Sequence, residues 1–103
     1  LKTVIEHGPL RLDTKGKQVA VDGIKVDLTA YEFNLLQYLL MRPGEVISKS
    51  ELTDHLYDQD FDRDSNVIEV FVGRLRKKID PDNLLKPIET VRGQGYRFKP
   101  VDA

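Results

Sequence analysis

The chain has 103 residues, enough for one domain with its own core, and its 40% hydrophobic and 32% charged residues are typical of a globular protein. The absence of Cys excludes a disulfide framework and any thiolate metal site, and no apolar run approaches the ~20 residues of a membrane-spanning helix. The formal net charge of −1, taken alone, argues against a nucleic-acid partner.

The charge is unevenly distributed along the sequence. Residues 1–64 contain 8 Lys and Arg against 12 Asp and Glu, a net charge of −4. Residues 65–99 contain 8 against 4, a net charge of +4. Because the local field and not the total charge attracts phosphate groups, the second region is the candidate for contact with nucleic acid.

Residues 1–28 show the period-two alternation of short strands separated by turns. Leu10 and Leu12 alternate with polar residues, and Asp22-Gly23 is a two-residue hairpin signal between two further alternating runs. Residues 1–6 are a candidate edge strand. We predict an antiparallel sheet of three or four strands whose apolar face must cover another part of the domain.

Two helices are predicted next, each with a capping signal at its start. Thr29 and Glu32 form a capping box for a helix that runs to Met41, where Arg42-Pro43-Gly44 ends it. After a short connector strand at residues 45–47, Ser48 and Glu51 repeat the box and open a shorter helix to about Tyr57.

The third helix, predicted within residues 64–79, has two contrasting faces. At ~3.6 residues per turn one stripe is apolar and suits a core: Ile68, Val72, Leu75 and Ile79. The opposite side combines an amide, small residues and cations: Asn66, Val70, Gly73 and Lys77, flanked by Arg74 and Arg76. With Lys78, four cations occupy five consecutive positions, and only Glu69 opposes them. This pattern is typical of a helix that lies in the major groove of DNA.

A β-hairpin is predicted to end the domain. Strands at residues 88–91 and 96–99 flank the turn Arg92-Gly93-Gln94-Gly95, with Tyr96 and Phe98 facing inward and Arg97 outward. Three helices, the third basic, followed by a hairpin with an Arg at its tip indicate an α+β winged helix-turn-helix.

Four segments resemble the OmpR/PhoB-type DNA-binding domain of bacterial two-component response regulators. They are LTAYEFNLLQYLL, GEVISKSEL, the helix NVIEVFVGRLRKKI and, most specifically, TVRGQGYRF at residues 90–98. The third helix and the hairpin are most similar to the PhoP/QseB-like branch. The resemblance covers residues 9–103, and it implies that residues 1–8 are the end of an interdomain linker or an edge strand.

The resemblance implies roles for individual residues. Asn66, Val70 and Arg74 match positions at which the family reaches bases, and Arg76, Lys77 and Thr90 match positions that contact phosphate. Arg92 matches the hairpin residue that enters the adjacent minor groove. The predicted DNA-binding set also contains Gly73, Lys78 and Arg97. Gly73 departs from members with Arg at this position, and Phe71 replaces a polar residue of some members and is interpreted as packed.

The resemblance also implies partners and a setting. The loop that joins the second and third helices matches the RNA polymerase contact of the family, here with Asp58, Asp60, Phe61 and Asp62. Members carry an N-terminal receiver domain that a sensor kinase phosphorylates, and this chain contains none. We expect a bacterial cytoplasmic protein without a cofactor, whose isolated output domain is a monomer that binds promoter direct repeats of double-stranded DNA head-to-tail.

Simpler interpretations exist for several of these residues. Cations at 76–78 also suit the negative end of a helix dipole, and Arg92 also suits an ordinary turn. His7 and His55 have no second ligand nearby in the sequence, and the Asp-rich loop lacks the Gly and Glu of a calcium loop. The sequence contains no obvious nucleophile–base pair, so it does not suggest an enzyme. The alternative function is a winged-helix protein-interaction module that binds an acidic partner.

Overall fold

The computed structural model describes residues 3–56, 67–82 and 86–99, and these form two small antiparallel sheets and three helices. The elements in chain order are β1 (Val4–His7), β2 (Leu10–Asp13), β3 (Gln18–Val21), β4 (Ile24–Val26), α1 (Ala30–Leu40), β5 (Val46–Ile47), α2 (Lys49–Leu56), α3 (Val67–Ile79), β6 (Ile88–Val91) and β7 (Gly95–Phe98). The sheet orders are β1-β2-β3-β4 and β5-β7-β6. The predicted α+β winged helix is therefore confirmed.

The first sheet is an antiparallel meander of four strands, as the alternation of residues 1–28 predicts. Asp22 and Gly23 have φ angles of 53° and 79°, the positive values that a two-residue hairpin turn requires. Leu10 and Leu12 alternate inward and are buried with the apolar residues of the helices. Strand β4 ends at Val26, two residues before the predicted end.

Helix α1 begins with the predicted capping box. The Thr29 hydroxyl accepts a hydrogen bond from the Glu32 N–H at 3.2 Å, and Glu32 Oε1 accepts one from the Thr29 N–H at 2.9 Å. The helix ends at Leu40, and the chain then turns through Gly44 at a φ of +82°. The Gly44 N–H donates to the carbonyl of Phe98 at 2.9 Å, which ties this turn to the C-terminal hairpin.

Helix α2 corrects one detail of the prediction. The Ser48 hydroxyl accepts from the Glu51 N–H at 3.1 Å, which is half of the predicted capping box. The Glu51 carboxylate accepts a hydrogen bond from the Tyr38 hydroxyl of α1 instead of returning to Ser48. A tertiary partner thus replaces the local one, and Glu51 joins α2 to α1.

The predicted connector strand is part of the C-terminal sheet. Strand β5 pairs with β7, which in turn pairs with β6, so that the hairpin is anchored next to the start of α2. Gly95 permits this approach, because a Cβ at this position would lie 2.0 Å from the carbonyl oxygen of Ile47. The backbone at Gly95 also has a φ of +147°, which L side chains rarely adopt.

One hydrophobic core joins both sheets and the helices, and it contains every residue of the apolar stripe predicted for α3. Its buried members include Leu12 and Val19 from the first sheet and Phe98 from the hairpin; α1, α2 and α3 contribute Phe33, Leu35, Leu36, Leu39, Leu40, Leu52, Ile68, Val72, Leu75 and Ile79. Among the described residues, no helix combines the length and the apolar character needed to cross a membrane.

Candidate nucleic-acid interface

Helix α3 presents a row of four residues away from the core, and we call Val70, Gly73, Arg74 and Lys77 the outward row. Val70 is 48% exposed although it is a β-branched apolar residue. A Cβ built on Gly73 has no atom within 4 Å, so internal packing does not require a glycine there. Glycine in a helix interior is less stable than Ala by ~1 kcal/mol, and no packing contact of this fold offsets that difference at Gly73.

The two cations of the outward row, Arg74 and Lys77, are exposed. Within residues 3–56, 67–82 and 86–99, neither Arg74 nor Lys77 makes a hydrogen bond or an ion pair. Both follow Val70 and Gly73 along the helix, so the row has small side chains toward its start and two exposed cations toward its end. Such a surface allows a helix backbone to approach base edges while Arg donates to guanine and Lys to phosphate.

Arg76, in contrast, is half-buried and bonded within the protein. Its Nε and Nη2 donate to the Ile88 carbonyl at 3.2 and 2.8 Å, and Nη2 also donates to the Thr90 hydroxyl at 2.7 Å. Its guanidinium carbon lies 5.9 Å from the centre of the Tyr96 ring. Two residues that were predicted to contact phosphate, Arg76 and Thr90, therefore bond to each other across the gap between α3 and β6.

Lys78 also has a partner inside the protein. Its Nζ lies 2.7 Å from Oε1 of Glu32, whose side chain is 1% exposed. Burial raises the pKa of the Glu32 carboxyl. The hydrogen bonds from Lys78 and Thr29 lower this pKa by more than burial raises it, so the net pKa is below its ordinary value. The structure thus directs Lys78, a member of the predicted DNA-binding set, toward α1 and away from the outward row.

The wing, which we define as β6, its turn and β7, carries Arg92 at its tip. Arg92 is exposed and makes no ion pair with another described residue. Arg97, predicted to contact DNA from the same hairpin, instead donates through Nε to Glu89 Oε1 at 2.8 Å across the β6–β7 pair. The hydrogen bond from Arg97 lowers the pKa of the Glu89 carboxyl, which is consistent with a paired carboxylate.

Lys49, which was not among the predicted site residues, lies at the start of α2 next to one flank of α3. Its Nζ pairs with the carboxylate of Glu69, and that hydrogen bond raises the pKa of Lys49. Both residues line an open groove between the start of α2, one flank of α3 and the wing. A signal existed in the sequence: a Lys in the first turn of a helix opposes the helix dipole, which indicates a carboxylate partner elsewhere.

Phe71 is packed, as interpreted from the sequence. Its ring stacks on that of Tyr31 in α1, with centroids 5.6 Å apart and planes 12° apart.

Several predicted site residues lie outside the residues that the structure describes. They are Asn66 and the predicted polymerase contacts in the loop, Asp58, Asp60, Phe61 and Asp62. Among the described residues, the candidate interface therefore consists of the outward row and the tip of the wing, with the Lys49–Glu69 pair at its edge.

Comparison with known proteins identifies the family. A family model described as the C-terminal domain of transcriptional regulatory proteins matches residues 23–98. The chain belongs to this family. The predicted resemblance to an OmpR/PhoB-type effector domain is confirmed, since the match includes α1, α2, α3 and the wing.

Relatives of this effector domain include proteins of known role and structure. The chain is 50% identical over 98 residues to the two-component response regulator PhoP of Pseudomonas aeruginosa, covering 95% of this chain and 44% of that protein. It is 33% identical to the DNA-binding domain of Klebsiella pneumoniae RstA in complex with the RstA box, with a TM-score of 0.83, covering 96% and 99% of the two chains. The response regulator DrrB of Thermotoga maritima, an OmpR/PhoB homologue, is 28% identical with a TM-score of 0.85, covering 95% and 45%.

The effector domain accounts for only part of such proteins. The chain spans slightly less than half the length of curated relatives such as PhoP and the Escherichia coli regulator CusR, at 44% and 45%.

Proposed function

We propose that this domain binds double-stranded DNA sequence-specifically as the output domain of a two-component response regulator. The observation that carries the proposal is the outward row of α3, where an exposed Val and a Gly precede two cations, next to a wing with Arg92 at its tip. None of these three cations has a partner among the residues that the structure describes. The DNA-bound state of the related RstA domain supports the same use of this fold.

The proposed mode of binding places α3 in the major groove and the wing in the adjacent minor groove. Arg74 donates two hydrogen bonds to a guanine, Val70 provides an apolar contact, and Lys77 contacts a phosphate. Asn66 is proposed to reach a base as well. Arg92 enters the minor groove, whose negative potential is greatest over narrow A·T-rich segments.

The whole protein is proposed to carry a receiver domain that a cognate sensor kinase phosphorylates in the bacterial cytoplasm. Residues 1–8 connect to it, and residues 4–7 of this segment pair with β2 as the edge strand β1. The isolated domain is proposed to be a monomer, and two copies occupy a direct repeat head-to-tail, about one helical turn or ~10–11 bp apart.

RNA polymerase is the proposed second partner, through the acidic loop at residues 58–63. The support is its sequence, three Asp residues around Phe61, together with the family resemblance. An acidic segment avoids phosphate and stays available while α3 occupies the groove. Asp60→Lys and Phe61→Ala are expected to keep operator affinity within about twofold and to abolish activation of transcription. Activation by every loop variant that still binds DNA would make the loop a spacer only.

The direct test of DNA binding is selection of bound duplexes from a random pool, followed by a salt titration of the enriched sequence. Sequence-specific binding predicts an enriched motif and a log–log salt slope of about −0.9 for each phosphate that is neutralised. A winged-helix module for an acidic protein partner predicts no enriched motif. Absence of enrichment with the phosphorylated full-length protein contradicts the proposed function.

A further inference from the structure

The wing needs a device that fixes its position relative to α3, because β6 is an edge strand of a three-stranded sheet. An edge strand leaves main-chain groups on its outer side without partners from the sheet. The hairpin is held from below by the β5–β7 pair, which involves only Val46 and Ile47. The buried side chains of Ile88, Tyr96 and Phe98 add to this anchor, and a direct hydrogen bond from α3 would also fix the angle between the wing and the recognition helix.

Arg76 supplies a contact from α3 to both strands of the wing. On β6 it donates to the Ile88 carbonyl and the Thr90 hydroxyl, and its guanidinium lies near the ring of Tyr96 on β7. Thr90 and Tyr96 are direct partners in the β6–β7 ladder, so two of these three contacts fall on one rung of the hairpin, while Ile88 lies two positions further from the turn. The rung lies one residue pair from Val91 and Gly95, which border the turn with Arg92.

We propose that Arg76 is a positioning residue, which fixes the spacing between the outward row of α3 and Arg92, rather than a residue that binds phosphate. The inference rests on the proposed function, in which α3 contacts the major groove and Arg92 the minor groove of one DNA site. A fixed spacing requires a site to present its guanine and its A·T-rich flank at one separation. Arg76 thereby contributes to specificity without contacting DNA.

The chemistry of the contact favours arginine specifically. The planar guanidinium presents donors in a fixed fork, so Nε and Nη2 converge on one carbonyl while Nη2 also reaches a hydroxyl. A lysine at this position keeps the positive charge but provides only a single flexible ammonium group. A residue that binds phosphate tolerates this exchange better than a residue that holds two acceptors in place, and the two roles are therefore separable.

The first experiment is hydrogen exchange of the free domain, compared between wild type, Arg76→Lys and Lys77→Ala. Arg76→Lys is expected to accelerate exchange of the wing amides in residues 88–98 about tenfold, because it removes the fork of donors that bonds to Ile88 and Thr90. Lys77→Ala, the neighbouring cation without a partner, is expected to leave them unchanged. Thr90→Val, which removes one acceptor at constant shape, is expected to give a smaller acceleration. Unchanged wing exchange in both Arg76→Lys and Thr90→Val overturns the proposal.

The second experiment is a double-mutant cycle on DNA with an A·T-rich flank. The affinity loss caused by Arg92→Ala is expected to shrink in the Arg76→Lys background and to remain complete in the Lys77→Ala background. If Arg92→Ala causes the same affinity loss in both backgrounds, Arg76 does not position Arg92 for DNA binding, even if Arg76→Lys accelerates wing exchange. If the wild type binds no duplex, the proposed function is contradicted. The hydrogen-exchange experiment still decides whether Arg76 holds the wing in place.

Discussion

The cations of α3 and the wing separate into two groups that the sequence does not distinguish. Arg76, Lys78 and Arg97 each have a partner inside the protein: the β6 edge, Glu32 and Glu89. Arg74, Lys77 and Arg92 have none among the described residues. Members of the two groups alternate along the chain. A run of positive residues is therefore not a uniform DNA-binding surface, and only some of its members are available to a ligand.

Helical phase explains the separation on α3. At ~100° per residue, positions 70, 73, 74 and 77 share the front of the helix, whereas 76 and 78 fall on opposite flanks. The flank of Arg76 also carries Glu69 and faces α2 and the wing. The flank of Lys78 also carries Phe71 and faces α1, where Glu32 and Tyr31 lie. The flanks are bonded to the rest of the domain, and the front is the face that we propose binds DNA.

The strongest way to break this comparison is Gly73→Glu. A side chain at this position has open space, so the fold is expected to persist, and helix propensity is expected to increase. An anion in the outward row opposes phosphate, and like-charge juxtaposition costs several kcal/mol, so DNA affinity is expected to fall more than ~100-fold. Gel-shift titration measures the affinity, and thermal unfolding confirms the fold.

Gly73→Gln is the matched control, because it adds the same bulk without the charge. A loss with Gln as large as that with Glu identifies close approach of the backbone as the main requirement at this position. If Gly73→Glu binds like the wild type, the outward row is not the interface.

A second, smaller pair of effects separates base contact from phosphate contact within the outward row. Arg74→Ala is expected to relax sequence preference at one base pair, since a bidentate Arg–guanine contact contributes ~1–3 kcal/mol of discrimination. Lys77→Ala is expected to weaken all sequences alike and to flatten the salt slope by about one unit. Competition binding with a panel of single-base variants measures both. Equal loss of specific and non-specific affinity in Arg74→Ala contradicts its assignment to a base.

Patterns within one element were predictable from the sequence. The capping box at Thr29 and Glu32, the turn at Asp22-Gly23 and the buried stripe of α3 depend on residues a few positions apart, and the structure confirms all three. Local spacing dictates such features because their partners lie in the same turn or hairpin.

Partners from distant segments were not predictable in the same way. Lys78 and Glu32 are 46 residues apart. The Glu51 carboxylate, predicted to complete a capping box with Ser48, instead accepts a hydrogen bond from Tyr38, 13 residues away. The spacing on α3 gives the phase of each flank, but only the packing of α1, α2 and the wing decides what faces it. The phase of each residue on α3 was therefore predictable from the sequence, whereas the bonding of Arg76 and Lys78 within the protein was not.

The smallest expected effect on DNA binding, and the clearest test of a flank, concerns the Glu32–Lys78 pair. Lys78→Met leaves the Glu32 carboxylate buried without its cation and is expected to destabilise the domain by about 1–2 kcal/mol at pH 7. Breaking a fully buried pair costs ~3–5 kcal/mol, but the Lys78 side chain is 38% exposed and solvent weakens the pair. Lys77→Ala, next to it, is expected to leave stability unchanged.

The pH dependence gives this last prediction its sign. The folded state lowers the pKa of Glu32, so the stability that the carboxylate contributes is complete above the pKa of the unfolded chain, ~4.3, and is lost as the pH falls through the folded value. Glu32→Gln keeps a side chain that can cap α1 but cannot ionise. Urea unfolding between pH 7 and pH 3 is therefore expected to show a stability gap between wild type and Glu32→Gln that narrows with acidification. The cost of Lys78→Met is expected to vanish in the Glu32→Gln background, because no carboxylate remains for Lys78 to neutralise. A gap that stays constant with pH means that Glu32 acts through its shape alone, and that Lys78 belongs with the cations available to DNA.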